Sequence, residues 1–117
     1  DPALLLQGEP WEVVELDGSA VTDPARITLG FAAGGRLAGG AGCNRYFGSY
    51  ALSGEGLRLS PRGATQMACA PRAMEDERRF MAAAASVSGF AITTDGRLEL
   101  RAGERVVMRA RRASGPR

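Results

Sequence analysis

Short segments of alternating apolar and polar residues, separated by glycine-containing turns, are the feature that most restricts how this chain can fold. Alternation with a period of two places successive side chains on opposite faces of an extended backbone, as in a half-buried β-strand. The segments are Trp11 to Leu16, Ile27 to Phe31, Arg36 to Ala38, Tyr46 to Leu52, Leu57 to Leu59, Phe90 to Ile92, Leu98 to Leu100 and Val106 to Met108, and Thr65 to Cys69 repeats the alternation. In the first of them, the adjacent Val13 and Val14 indicate apolar contact on both faces or a bulge. The short length and close spacing of the segments predict an antiparallel sheet.

One segment has the periodicity of a helix instead. Pro71 suits the first turn of a helix, and the acids at 75–77 place negative charge near its positive end. Apolar side chains recur at helical spacing, which places near one face Met74, Phe80, Met81, Ala84 and Val87. Gly89 ends the segment. We therefore predict a mainly β (α+β) fold, an antiparallel, barrel-like sheet of about eight short strands with one helix covering it.

The absence of two residue types excludes several kinds of active site. The 117 residues suit a single domain, and they contain no histidine and no lysine, so all 15 basic side chains are arginine. Without histidine there is no imidazole base, no Ser-His or Cys-His pair and no histidine ligand for zinc. Without lysine there is no phosphate-loop lysine and no Schiff base. We expect no enzyme activity, no cofactor and no metal site; the alternative is an enzyme that works through carboxylates and arginine alone.

Positive charge is concentrated at the C-terminal end. The formal net charge is +2, but residues 109–117 contain four arginines and no acid. The remaining 11 basic and 13 acidic side chains give positions 1–108 a net charge of −2. Nucleic-acid-binding proteins carry basic stripes on folded elements, whereas this cluster lies in a Ser/Gly/Pro-containing tail that we expect to be disordered. We predict no nucleic-acid partner and, because no apolar run reaches roughly 18 residues, no transmembrane segment.

The two cysteines, Cys43 and Cys69, allow two interpretations. They form one disulfide, which implies an oxidising compartment, or they are reduced thiols in a cytosolic core. We expect the disulfide, and we expect no zinc site because the chain supplies too few ligands. No secretion signal opens the sequence, so an extracytoplasmic location requires that a leader has been removed.

The stretch from Gly39 to Tyr50 carries the most local information. Three glycines in four positions, followed by the only asparagine of the chain, indicate unusual backbone angles or the close approach of another segment. One interpretation is a phosphate-binding loop, although the third glycine and the following helix of that motif are missing. The other is a glycine-enabled bulge at a barrel corner, with the Asn44 side chain bonded to nearby backbone.

Three segments in this order resemble a known family. They are Gly42 to Tyr50, which reads Gly-Cys-Asn-Arg-Tyr-Phe-Gly-Ser-Tyr, Ala64 to Cys69, which reads Ala-Thr-Gln-Met-Ala-Cys, and Glu77-x-x-Phe80-Met81. Together with the opening strand they make the chain similar to the META domain family, also called the heat-shock protein HslJ-like family, over residues 10–108. A lead-in at 1–9 and the arginine-rich tail at 109–117 lie outside the resemblance, and no lipobox cysteine is present.

The resemblance implies a β-rich, barrel-like domain with one helix, found mainly in bacterial envelope proteins that are often lipoproteins or secreted proteins. The family is associated with heat shock, stress response and, in some members, antibiotic tolerance, and it has no established catalytic residue or cofactor. We therefore expect a monomeric, non-enzymatic domain that is periplasmic, associated with the outer membrane or secreted. Its role is structural, or it binds an unknown envelope protein. The alternative is a carrier that binds a small ligand in the barrel mouth.

The candidate ligand or partner surface consists of Trp11, Asn44, Arg45, Tyr46 and Tyr50. The two tyrosines share one face of a predicted strand, where they line a pocket or a partner surface, or pack across strands. The single tryptophan is a stacking platform or a core side chain. Arg45 contacts an anion if it is exposed and otherwise pairs with an acid, for which Glu77 is the candidate. The other interpretation leaves Glu77 in solvent.

Overall fold

Nine β-strands, each antiparallel to its sheet neighbours, dominate the computed structural model, which describes residues 1–54 and 56–113. They are β1 Trp11–Leu16, β2 Ser19–Ala20, β3 Thr28–Ala32, β4 Arg36–Gly40, β5 Arg45–Ser53, β6 Gly56–Gly63, β7 Gly89–Ile92, β8 Leu98–Ala102 and β9 Arg105–Arg112. The helices are α1 Pro2–Leu6 and α2 Pro71–Ser86, and Pro24–Arg26 forms a single 3-10 turn. None of the helices within these residues is long and apolar enough to cross a membrane. The glycine-containing turn predicted between the segments Tyr46 to Leu52 and Leu57 to Leu59 includes Glu55, which lies outside the described residues.

The sheet closes on itself. Its strands follow the order β2, β1, β3, β4, β5, β6, β7, β8, β9, and β1 also pairs with β9, so that only β2 lies outside the ring. Along this closing pair Trp11 lies opposite Arg112, and Leu16 lies opposite Met108. Closure removes the strand edges that an open sheet would expose. The prediction of a mainly β fold, with one closed antiparallel sheet and a helix packed on it, is confirmed.

Helix α2 packs where the ring has its smallest strand pairing. β6 and β7 share only the pair Gly56 and Gly89, and α2 contacts β6 and reaches β1 and β9. Phe80 and Ala84, four residues apart and therefore on one face of α2, are buried in this contact region. The helix thus replaces sheet pairing along the rest of β6.

Side chains fill the interior of the ring. Inward and outward positions alternate along the strands, and the largest fully buried side chains are Leu6, Trp11, Leu16, Ile27, Leu29, Leu37, Tyr46, Leu57, Phe80, Leu98, Leu100 and Met108. Phe31 and Tyr50 pack edge to face, with ring centroids 5.0 Å apart. Together with the buried side chains of α2, these residues form one continuous core.

The strand predicted from the alternation of Thr65 to Cys69 is absent. Residues 64–70 form no strand and are largely exposed. Instead of joining a backbone ladder, the segment uses Thr65 and Cys69 to bond to the loop between β4 and β5. A period of two describes any extended backbone, so the pattern alone does not distinguish a strand from an extended loop.

The C-terminal arginines belong to the sheet. Residues 109–112 lie in β9, so the expected disorder of the tail is wrong for these positions, and residues 114–117 lie outside the described part. Arg109 lies 3.1 Å from a carboxylate oxygen of Glu15 and 2.5 Å from one of Glu99. Glu15 belongs to β1, 94 residues before Arg109, and Glu99 belongs to β8, 10 residues before it. The net charge counted over residues 109–117 therefore omits Glu15 and Glu99, the acids that pair with Arg109.

Arg112 ties the N-terminal segment to the end of β9. Its guanidinium lies 3.8 Å from the centre of the Trp11 ring and donates a hydrogen bond to the carbonyl of Leu5 at 3.0 Å. Burial lowers the pKa of this guanidinium from its usual value. Carbonyls at the C-terminal end of a helix have no partner within the helix, so a cation there stabilises α1. Leu6 is fully buried, and residues before Trp11 therefore contribute to the core.

Candidate functional site

The loop between β4 and β5 carries the Gly-Cys-Asn segment and packs against the first half of α2. Gly42 has a φ of +121°, which side chains with a Cβ rarely adopt. A Cβ there would lie 3.1 Å from the carbonyl oxygen of Ala73 and 3.2 Å from the amide nitrogen of Glu77, so glycine permits the approach. This contact places the Ala73 and Glu77 side of α2 against the loop. Met74, which we predicted to lie on the buried face, is instead 50% exposed.

The carboxylate of Glu77 binds this loop through three hydrogen bonds. Its Oε1 accepts from the amide of Cys43 at 3.2 Å and from the amide of Asn44 at 2.6 Å, and its Oε2 accepts from Asn44 Nδ2 at 3.0 Å. Both interpretations of Glu77 are therefore wrong, since it is neither paired with Arg45 nor left in solvent. Arg45 is exposed and has no ion pair within residues 1–54 and 56–113.

Asn44 joins three segments of the chain. Besides bonding to α2 through its amide nitrogen atoms, its Oδ1 accepts hydrogen bonds from Thr65 Oγ1 at 2.9 Å and from the amide of Met67 at 2.5 Å. The expectation that its side chain bonds to nearby backbone is wrong, because these partners lie more than twenty residues away in the sequence. All the polar atoms of the asparagine side chain are thus used to hold the β4–β5 loop, residues 64–70 and α2 together.

A disulfide reinforces the same junction. Cys43 and Cys69 are bonded, with Cα atoms 5.8 Å apart, so the expected bridge is confirmed and the reduced alternative is not observed. The bond spans a sequence separation of 26, and closing a loop of that size stabilises a fold by about 3.5 kcal/mol when the chain-entropy relation is applied. We refer to Gly42, Cys43, Asn44, Cys69 and Glu77 as the junction. Its bonds restrain backbone and present no free nucleophile or base.

The three predicted aromatic residues of the candidate surface are core side chains. Trp11 is 2% exposed, and its indole N–H donates to the carbonyl of Leu6 at 3.0 Å. The Tyr46 hydroxyl donates to the carbonyl of Thr28 at 2.7 Å, and burial raises the pKa of this phenol above its usual range. Tyr50 is also buried. The packing interpretation therefore describes all three, and they do not share an exposed surface with Asn44 and Arg45.

Three clefts on the described surface are lined by residues other than these aromatic side chains. A cleft of about 230 Å³ is bordered by Arg26, Asn44 and Arg45, and a neighbouring one of about 320 Å³ lies at the start of α2. Asp76 lines the second cleft, where Arg79 lies 3.4 Å from its carboxylate. A third cleft of about 370 Å³ lies between α1 and β7 and is mainly apolar. Of the five predicted surface residues, only the two at positions 44 and 45 line a cleft among these.

The outer face of β4, β5 and β6 carries a surface that sequence analysis missed. The outward positions of these strands place four arginines around one exposed aromatic ring, and we name this set the arginine face: Arg36, Arg45, Phe47, Arg58 and Arg62. Phe47 is 56% exposed and lies opposite Ala38 on one side and Arg62 on the other. The sequence offered only one signal for this surface, namely the arginines at alternate, outward-facing positions of each strand. Only the register shows that these side chains are neighbours.

The chain is similar over nearly its whole length to one protein family and to solved structures. A family model described as the META domain matches residues 4–114. An NMR structure of a protein from Burkholderia xenovorans has 26% sequence identity and a TM-score of 0.73, and the match covers 97% of this chain and 87% of that one. A second NMR structure has 18% identity and a TM-score of 0.69, covers 95% and 94% of the two chains, and shows likeness of fold alone. No curated protein matches the chain in sequence.

Proposed function

We propose that this chain, which belongs to the META domain family, is a non-enzymatic bacterial domain that acts outside the cytoplasm through a structural or interaction role. We further propose, from the HslJ-like resemblance, that the domain takes part in heat-shock response or antibiotic tolerance. The Cys43–Cys69 disulfide is the observation that carries the proposed location outside the cytoplasm. Disulfides of this structural kind form and persist in oxidising compartments and are rare in the cytosol.

The use of the family's most recognisable residues supports a role without catalysis. Gly42 permits a close contact with α2. The backbone amides of Cys43 and Asn44 bind Glu77, the Asn44 side chain binds Thr65, and the Cys43 sulfur forms the disulfide. A catalytic nucleophile needs a free reactive atom beside a base. The polar groups and the thiol of these residues are instead bonded to other parts of the chain.

The carrier alternative has no such support. It requires a concave site beside Trp11, Tyr46 and Tyr50, and these side chains are buried in a packed core. Ligand pockets are concave and lined by apolar groups that a ligand can reach. We therefore do not propose a carrier role for the ring interior.

Thiol trapping in fractionated cells tests the proposal. Cells of the source organism are treated with an alkylating reagent before lysis. The masses of the peptides that contain Cys43 and Cys69 are then measured by mass spectrometry without reductant. We expect one bridged peptide pair in the extracytoplasmic fraction. Two alkylated cysteines in the cytosolic fraction would overturn the proposal.

A deletion strain tests the stress association separately. We expect it to survive heat or antibiotic exposure less well than its parent, and a copy of the intact gene to restore survival. Equal survival of the two strains would remove the stress association and leave the compartment assignment unaffected.

A further inference from the structure

We propose that the arginine face binds the surface of a membrane that contains anionic phospholipids, with the four guanidinium groups on headgroup phosphates and the Phe47 ring at the boundary of the acyl chains. This inference rests on the proposed interaction role outside the cytoplasm and names its partner. It concerns peripheral binding to a lipid surface and requires no membrane-spanning segment.

The four arginines of this face lack the acidic partners that four of the other five exposed arginines in the described residues have. Elsewhere, four exposed arginines are paired with exposed acids, namely Arg26 with Asp23, Arg78 with Glu75, Arg97 with Asp95 and Arg105 with Asp17. A fifth, Arg72, donates to the hydroxyl of Thr22. On the arginine face, Arg36 donates only to the carbonyl of Ala33, and no ion pair involves the other three within the described residues. Between residues 28 and 63 the sequence has one acid, Glu55, which lies outside the described residues, and no described side chain there is acidic. The positive charge of this face is therefore available to an external anion.

The register gives the face a shape that suits a lipid surface. Arg36 lies opposite Ser49, and Arg62 lies opposite Phe47, so cations occupy both outer strands of the three. Strands β4 and β6 are separated by β5, which places their side chains about 10 Å apart. The residues that separate the cations are small, including Ala38. One aromatic ring therefore projects from a broad cationic face.

A phospholipid surface fits these features better than a nucleic acid does. Guanidinium groups bind phosphate oxygens through paired hydrogen bonds, and an exposed aromatic ring is stable where headgroups meet acyl chains. Single-stranded nucleic acids are bound by several aromatic rings on which successive bases stack, and this face has only Phe47 among its described residues. The Cys43–Cys69 disulfide also favours an oxidising compartment, away from the nucleic acid of the cytosol.

Vesicle co-sedimentation tests the inference with two variants of equal charge. The face variant replaces each of its four arginines by glutamine, and the control replaces four ion-paired, exposed arginines by glutamine, namely Arg26, Arg78, Arg97 and Arg105. Each variant loses four positive charges, so the formal net charge falls from +2 to −2 in both. The probes are vesicles of phosphatidylcholine, alone or mixed with phosphatidylglycerol.

We expect the intact chain to bind the mixed vesicles and not those of phosphatidylcholine alone, with binding that weakens as salt is added. An arginine near an anionic surface changes affinity by about fivefold, so the face variant should bind more than about tenfold more weakly. The control variant should retain most of the binding. Equal loss in both variants would mean that net charge alone is responsible, and it would overturn the inference.

A tryptophan at position 47 reports on insertion directly. We expect the emission of a Phe47→Trp variant to shift to shorter wavelength when mixed vesicles are added, against the constant signal of the buried Trp11. An unchanged emission maximum in sedimented protein would overturn the placement of this ring in the membrane. Tighter binding of the arginine face to a single-stranded oligonucleotide than to mixed vesicles would overturn the choice of partner.

The outcomes separate this inference from the proposed function. If the bridge is found outside the cytoplasm but the mixed vesicles are not bound, the lipid inference fails and the proposed function stands. If both cysteines are free in the cytosol, the proposed function fails whatever the vesicles show.

Discussion

Replacing Glu77 by alanine removes three hydrogen bonds from the junction at once. Two of the donors are the backbone amides of Cys43 and Asn44, and the third is the Asn44 side chain. A hydrogen bond to a charged group contributes about 1.5 to 3 kcal/mol, and water can reach part of this half-buried site. We therefore expect the Glu77→Ala substitution to lower the free energy of unfolding by about 3 kcal/mol, less than the simple sum.

A glutamine at the same position should cost less. Its carbonyl oxygen can still accept from the two backbone amides, but its NH₂ group cannot accept from Asn44 Nδ2. We expect Glu77→Gln to lower the free energy of unfolding by about 1 to 2 kcal/mol. The order of the two losses follows from the donor set and does not depend on their absolute size.

Urea unfolding of the oxidised protein measures both changes. Trp11 is the only tryptophan and is buried, so its fluorescence reports on the core. The matched control is Glu75→Ala on the same helix, because Glu75 makes only an exposed ion pair with Arg78 and should change stability little. If Glu77→Ala is no more destabilising than this control, our assignment of Glu77 to the junction is refuted.

Three further substitutions have defined outcomes. A Cβ at Gly48 would lie 2.0 Å from the carbonyl oxygen of Ser60. Gly48→Ala should therefore lower the free energy of unfolding by at least about 2 kcal/mol, whereas Gly63→Ala, with no atom nearer than 3.9 Å to the added Cβ, should cost less. Burial raises the pKa of the Tyr46 phenol, so the neutral phenol contributes fully to stability below the unfolded pKa of about 10, and this contribution is lost as pH rises above that value. The Tyr46→Phe variant should therefore lose less stability than the parent between neutral and alkaline pH. An equal loss in both proteins would count against burial of the phenol as the cause. Arg112→Gln removes the guanidinium from the carbonyls of α1, and hydrogen exchange should quicken at the helix amides; unchanged exchange there would contradict its anchoring role.

The sequence predicted those elements whose signal is local. Alternation identified the strands around Leu29 and Leu100, and Pro71 together with the apolar spacing that follows identified α2. Both signals arise because a strand or helix must bury one face, and burial leaves a period in the sequence. The disulfide was expected over the reduced alternative, and the structure shows the bond between Cys43 and Cys69.

Features that depend on distant partners were missed. Glu77 was singled out as a partner for Arg45, but the sequence does not show that its carboxylate accepts from the amides of Cys43 and Asn44 instead. Likewise, Arg109 reads as a tail residue until β9 is paired with β1 and β8. Tertiary pairing, which a single sequence does not display, determined both outcomes. The arginine face was missed for the same reason, because its members are adjacent only through strand register.

Hydrogen exchange at the amides of Cys43 and Asn44 tests most directly whether the Gly-Cys-Asn segment is a rigid scaffold. Both amides lie in a loop, yet both donate to Glu77 beside the disulfide. We expect them to exchange as slowly as amides of the central strands, and to exchange faster in the Glu77→Ala variant while the rest of the sheet remains protected. Exchange as fast as that of an unbonded surface loop in the intact, oxidised protein would contradict the scaffold role of this segment.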